Sequence, residues 1–187
     1  MNKAEILRYM RTNSKTNDKR ILELADRAAQ QIESNVTPKT LYRIFDCRVS
    51  TDELIIGDIC FHSRRLAENL RGCARVVVFG ATLGVECDRL IKTASTTDIA
   101  LAAALQAAAA SKIEEVCDGL ESQICREHNI TLRQRYSPGY FDLDITEQKK
   151  LFSLVELTKR IGLTLTDTME MLPTKSVTAF IGINEDD

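Results

Sequence analysis

Apolar positions follow helical spacing in some stretches of the chain and strand spacing in others. Lys3 to Arg11 reads as a short helix. Ile21, Leu24, Ala25, Ala28 and Ile32 recur at three- and four-residue steps, which predicts a helix capped by Asn17 or Asp18 and ended before Pro38. Thr40 to Val49 is β-like, with Leu41, Phe45, Cys47 and Val49 on one parity and Tyr42 and Ile44 on the other. After the Ser50-Thr51-Asp52 turn, Glu53 to Phe61 reads as a second strand antiparallel to the first. Ser63 is placed to cap a short helix carrying Leu66, Ala67 and Leu70, with Gly72 beyond its end.

The middle of the chain changes character. Arg75 to Phe79 is a Val-rich run without alternation, the pattern of a central strand covered on both faces. Gly80 to Gly84 leads into a helix over Val85 to Lys92. Asp98 to Glu127 is Ala-rich and predicts the longest helix, roughly 45 Å at 1.5 Å per residue. Pro138-Gly139 forces a turn, after which Asp144 is a helix cap with Glu147 at the reciprocal capping-box position. Leu151, Phe152, Val155 and Ile161 form the buried face of that helix, which Gly162 ends. Leu163 to Thr166 and Ser176 to Ile183 are strand-like, and Asn184 to Asp187 form an acidic tail expected to fray. One set of strand-like runs separated by capped helices predicts an α+β fold. We expect a single domain over 1–187 in which long helices flank a central, mostly antiparallel sheet.

Charge and cysteine usage narrow the chemistry. Lys+Arg of 25 against Asp+Glu of 27 gives a net charge of −2, which offers no electrostatic support for a nucleic-acid or anionic-membrane partner. The longest apolar run, Ile99 to Ala110, is too short to span a bilayer, and Met1 to Asn13 lacks the apolar core of a signal peptide, so a cytoplasmic protein is expected. The six cysteines show no C-x-x-C pair, and only His62 and His128 add imidazole. Spacing therefore predicts reduced core cysteines and no metal site. His62 with Arg64-Arg65 reads as an anion site at a helix start or as a solvated first turn. The Gly80 to Gly84 turn matches neither G-x-G-x-x-G nor a Lys-containing P-loop, and close helix-on-strand packing accounts for both glycines.

No nucleophile elbow, metal cluster or paired catalytic carboxylates stand out. The segment from Arg135 offers a guanidinium, turn backbone and aromatics close together, which suits a ligand with a carboxylate and a flat ring. The wording of this segment resembles the activation domain of cobalamin-dependent methionine synthase, the part that binds S-adenosylmethionine, and most closely its short stand-alone relatives. The matching pieces are R-x-S-P-G-Y at Arg135 to Tyr140, E-Q at Glu147-Gln148, R-I-G-L-T-L-T at Arg160 to Thr166 and M-L-P-T-K-S-V-T at Met171 to Thr178. Upstream, V-V-V-F-G-A-T-L-G from Val76 to Gly84 is also similar to the family.

The resemblance implies that Arg135 holds the ligand carboxylate, that Gly139 and Tyr140 line the pocket, and that an acidic residue on the long preceding helix, Glu114, faces the ligand. Tyr136 is expected to pack. It implies methyl transfer from S-adenosylmethionine to cobalamin after one-electron reduction of cobalt(II), with the cobalamin carried by a corrinoid-binding methionine synthase subunit and a flavodoxin- or ferredoxin-type electron donor. Two departures stand out. Phe141-Asp142-Leu143-Asp144 replaces a longer acidic-proline segment, and the sequence ends at Asp187 where longer members continue with an aromatic-rich segment. Three readings follow: an activation subunit for methionine biosynthesis acting in trans, a module of the same fold that docks on a corrinoid protein without binding S-adenosylmethionine, and a structural α+β protein with an unrelated pocket.

Overall fold

The computed structural model describes residues 1–13 and 15–184. Its centre is an antiparallel sheet of three strands in the order β1 (Lys39–Asp46), β5 (Arg75–Thr82), β8 (Ser176–Gly182). β5 is buried at every position after Arg75, so the unalternating Val run is the central strand that its composition predicts. Its parity divides the core. Val77, Phe79 and Ala81, with Ala179 and Ile181 of β8, face one apolar cluster, while Val76 and Val78, with Phe180, face another.

Helices cover the first face. These are α1 (Lys3–Tyr9), α2 (Lys19–Asn35), α4 (Val85–Thr97) and α5 (Ile99–His128). α5 is 30 residues long and is capped by Asp98, whose side chain accepts from the Leu101 N–H. Its alanines let neighbouring backbone approach closely: Ala104, Ala108 and Ala109 are fully buried against the same cluster as α2 and β5. Asp18, of the two candidates, caps α2. α4 runs five residues further than its sequence pattern predicts, to Thr97.

The second face carries smaller elements: β2 (Arg48–Val49), β3 (Glu53–Ile56), β4 (Ile59–His62), α3 (Arg64–Asn69), α6 (Gln148–Leu154) and α7 (Leu157–Ile161). Phe61 and Phe180 meet edge to face here, with centroids 4.8 Å apart. β6 (Thr164–Leu165) and β7 (Met171–Leu172) form a two-stranded ribbon.

Several expectations are corrected. Thr40 to Val49 does not form one strand paired with its sequence neighbour. β1 pairs with β5, and the Cys47 N–H donates to Ala74 O before the chain turns into β2, which pairs with β3. Glu53 to Phe61 is a hairpin folded at Gly57-Asp58, with Ile56 opposite Ile59. The helix after Asp144 begins as a 3-10 turn over Ile145–Glu147 and breaks at Val155, whose extended backbone places Leu157 over the sheet. The Glu147 carboxylate engages Lys150 at 2.9 Å instead of closing a capping box. The close packing read at Gly80 is real, but its neighbour is Leu157 of α7 and not the helix that follows. A Cβ built on Gly80 would lie 2.5 Å from Leu157 Cδ2. Of the acidic tail, 185–187 lie outside the described residues.

The Pro-Gly loop is fixed at two points. Tyr136 and Phe180 exchange backbone hydrogen bonds of 2.9 Å in each direction, which ties the loop to the outer edge of β8. Asp142 reaches the start of α3, accepting from Ser63 Oγ at 2.5 Å, the Arg64 N–H at 2.9 Å and the Arg65 N–H at 3.3 Å. Ser63 also caps α3 through the Leu66 N–H. The anion at this helix start is thus the chain's own carboxylate. Hydrogen bonding from Ser63, then from the two backbone N–H groups, holds the Asp142 carboxyl below its ordinary range.

Two measurements check this packing. Gly80→Ala should destabilise the fold by about 1–3 kcal/mol through overpacking against Leu157. Urea unfolding of Gly80→Ala combined with Leu157→Ala should show a smaller loss than the sum of the single losses. Asp142→Ala should lower the unfolding free energy, measured by urea titration, by about 1 kcal/mol, the scale of one cap interaction, kept small by solvent screening. Because the folded-state carboxyl is depressed, its contribution is present above the unfolded value of about 3.9 and fades as pH falls through the folded value. The difference between wild type and Asp142→Ala should therefore be full at pH 7 and vanish at strongly acidic pH.

Candidate functional site

A cleft of about 1020 Å³ opens between the Pro-Gly loop, the polar face of α5, α3 and the β6–β7 ribbon. Arg135, Tyr140 and Glu114 all line it. Gly139, expected to line the pocket, sits between two lining residues and is not itself part of the lining. Its φ is +90°, a conformation that side chains rarely adopt, and a Cβ there would come within 3.0 Å of Ile145 Cδ1. Pro138 and Tyr140, on either side, contribute the wall. The loop closes on itself through Gly139 N–H to Leu143 O at 2.8 Å and Tyr140 N–H to Ser137 O at 3.3 Å. Tyr136 packs against the second apolar cluster, and the exposed Phe141 stacks on it with centroids 6.0 Å apart.

Arg135 is brought to Glu114 within one cleft. Its Nη2 donates to Glu114 Oε2 at 2.6 Å. Its Nη1 donates to two more carboxylates, Asp118 Oδ1 at 2.8 Å and Glu121 Oε1 at 2.5 Å. Burial of the guanidinium works against its charge. The hydrogen bonds to Asp118, Glu121 and Glu114 outweigh that effect and raise its pKa above the ordinary arginine value. Of the three carboxylates, Glu114 and Glu121 line the cleft with Arg135, whereas Asp118 reaches the guanidinium from the neighbouring groove beside α1.

Helix register decides between the adjacent glutamates. Glu114 faces the cleft, whereas Glu115 turns toward Lys112, 2.7 Å away, and the Met1 amine, 3.6 Å away. Asp118 and Glu121 are absent from the sequence reading. Their signal was available: positions 114, 118 and 121 are spaced by four and three residues and so form one stripe on α5. Gln148 was noted for its wording alone. It is buried at the cleft wall, where its Oε1 accepts from the Thr178 hydroxyl at 2.7 Å.

Burial pushes the thiol of Cys117, on the same helix, up to about 12, and that of Cys87 up to about 11. Neither supplies a thiolate at neutral pH, in keeping with their place as small core residues. The array at the cleft can bind and orient charge. Its acidic stripe attracts cationic groups, its guanidinium takes a carboxylate, and Tyr140 offers a ring face. Among the described residues, no helix is long and apolar enough to cross a membrane.

No curated protein matches the chain as a relative. Its fold is similar to a solved structure described as the MetH reactivation domain bound to AdoHcy. The TM-score is 0.71 at 17% identity, with 90% of this chain and 66% of that one covered. The chain thus spans just under two thirds of that structure's length. The α+β architecture of long helices around antiparallel strands is shared between them. The family described as vitamin B12 dependent methionine synthase, activation domain, matches residues 100–186, the part that contains α5, the Pro-Gly loop and β8. Residues 100–186, just under half of the chain, are thus similar to the activation domain of vitamin B12 dependent methionine synthase.

Proposed function

We propose that the chain binds S-adenosylmethionine in this cleft and acts as the activation subunit for reductive remethylation of a cobalamin-dependent methionine synthase, in trans on a corrinoid-bearing partner. The observation that carries the reading is the meeting of Arg135 with the α5 carboxylates beneath the Pro-Gly turn. The solved structure of similar fold carries AdoHcy, which is S-adenosylmethionine without its sulfonium methyl. We read the whole chain, 1–187, as one activation-domain-like domain, since both apolar clusters share the β1-β5-β8 sheet. The role fits a cytoplasmic protein supplied with electrons by a flavodoxin- or ferredoxin-type donor.

The donor set fits the ligand by charge. Asp118 is the most exposed of the three partners of Arg135, at 68%, and holds the guanidinium from outside the cleft lining. Glu114 and Glu121 then face the ammonium and sulfonium groups. Gly139 and Tyr140 use their N–H groups within the loop, so the turn offers carbonyl acceptors to an exocyclic amine. Thr178 occupies the Gln148 Oε1, which leaves the Gln148 amide N–H groups as donors at the wall. When bound, S-adenosylmethionine supplies the methyl group that the partner's corrinoid receives. This chain's residues hold and orient it, and no general base is needed for that task.

The Arg135 saturation also favours a second reading, in which the guanidinium clamps α5 to the loop and the module docks on a corrinoid protein without the ligand. Titration calorimetry with S-adenosylmethionine separates the two. Wild type should bind, and Arg135→Ala should lose about 2–5 kcal/mol, the cost of removing one partner of a buried charge pair, or roughly 30-fold or more in affinity. Arg135→Lys should recover only part, because it keeps the charge and loses the fork. Circular dichroism confirms that each variant is folded. Equal affinity across all three removes Arg135 from the site, and no wild-type binding hands the case to the docking module.

A separate prediction addresses the partner. With a corrinoid-bearing methionine synthase subunit, a reductant and S-adenosylmethionine, absorption spectra should move from the cobalt(II) form toward methylcobalamin only when this chain is present. An unchanged spectrum together with no association would overturn both readings.

A further inference from the structure

The β3–β4 hairpin gathers three donors of different chemistry on one face, and none of the three lines the cleft. Glu53 and His62 are directly opposed in the strand register. Cys60 precedes His62 by two residues on β4 and so shares its face. Glu53 Oε1 lies 3.3 Å from His62 Nδ1, and Cys60 Sγ lies 3.8 Å from His62 Nε2. One donor atom from each residue lies within 4.8 Å of the others, and among the described residues no other three His, Cys, Asp or Glu side chains meet that condition.

We propose that Glu53, Cys60 and His62 form a binding site for a borderline-soft divalent transition metal ion, with Zn²⁺ as the representative and water in the fourth position. Thiolate with imidazole selects this class over Mg²⁺ or Ca²⁺, which take all-oxygen sites. A tetrahedral zinc ion with bonds of about 2.3 Å to sulfur and about 2.0 Å to nitrogen sets those atoms roughly 3.6 Å apart. The 3.8 Å separation of Sγ and Nε2 is already close to that. The carboxylate meets the ring at Nδ1 and the sulfur meets it at Nε2. The His62 side chain is 64% exposed, so a turn of its ring aligns one nitrogen with an ion seated between sulfur and carboxylate.

The neighbouring cation does not oppose the ion unchecked. Lys150 Nζ donates to Cys60 O at 2.8 Å and to Glu147 Oε1 at 2.9 Å, so its charge is matched by a carboxylate. Binding releases the thiol proton to solvent and forms the metal–sulfur bond, with no change in oxidation state. The ion would tie the first residue of β3 to the last of β4, immediately before Ser63 and α3.

Co²⁺ is the probe, titrated into the full reduced chain and followed by absorption. Wild type should take up one Co²⁺ per chain, with a sulfur-to-cobalt charge-transfer band in the near ultraviolet and tetrahedral bands in the visible, and Zn²⁺ should displace it. Cys60→Ser should abolish the charge-transfer band. His62→Gln and Glu53→Gln should each weaken Co²⁺ binding by tenfold or more, with circular dichroism confirming the fold of every variant. Wild type without tetrahedral Co²⁺ bands overturns the proposal. So does an unchanged charge-transfer band in Cys60→Ser, which would mark an adventitious ion only, on one of the other cysteines.

Discussion

The burial of β5 on both faces sets the terms for the rest of the molecule. A strand with Val76 and Val78 on one side and Val77 and Phe79 on the other is unfavourable in water unless each side is covered by its own apolar layer. Four helices supply one layer, with the alanines of α5 allowing the long helix to lie close. The hairpin, α3, α6 and α7 supply the other. Gly80 shows how tight that second layer is, because Leu157 occupies the place of a side chain.

The cleft is a consequence of how this arrangement ends. β8 is an outer strand, and the chain after α5 runs along its free edge, pairing at Tyr136 with Phe180 and at Leu132 with Ile183. This satisfies edge groups that would otherwise invite another chain. It also carries Arg135 across to the acidic stripe of α5. The loop beyond it cannot drift, since Asp142 holds the start of α3. The site is therefore suspended between a helix of the first layer and a helix of the second, with the sheet edge as its floor.

The electrostatics of that site are unequal by design of the fold. A guanidinium with three carboxylates is more than neutralised, and two of those carboxylates, Glu114 and Glu121, stand on the cleft wall where a cation can approach them. A zwitterion with an additional positive centre answers both needs, offering a carboxylate to Arg135 and cationic groups to the stripe. The hairpin cluster follows a different logic: there strand register, not helix register, brings donors together, and the resulting set is soft and solvent-facing.

Much of this was legible in the residues. The Val run announced the central strand, the caps at Asp18, Ser63 and Asp144 marked helix starts, and Arg135, Pro138-Gly139 and Tyr140 marked the cleft by their wording. These are local signals, in which a hydrogen bond or a backbone preference is satisfied within a few residues. What failed were the long-range pairings. Nothing near Thr40 says that β1 pairs with β5, because period-two alternation gives a strand its faces and not its partner. Nor does the spacing of Asp142 from Ser63 show that a carboxylate from the loop will sit on α3. Glu114 was separated from Glu115 only by the rotation of α5, which packing against the sheet fixes. Sequence determined the elements, their caps and the residue types of the site. Tertiary structure decided which elements touch, and so gave Arg135 its second and third carboxylates and set Cys60 and His62 beside Glu53.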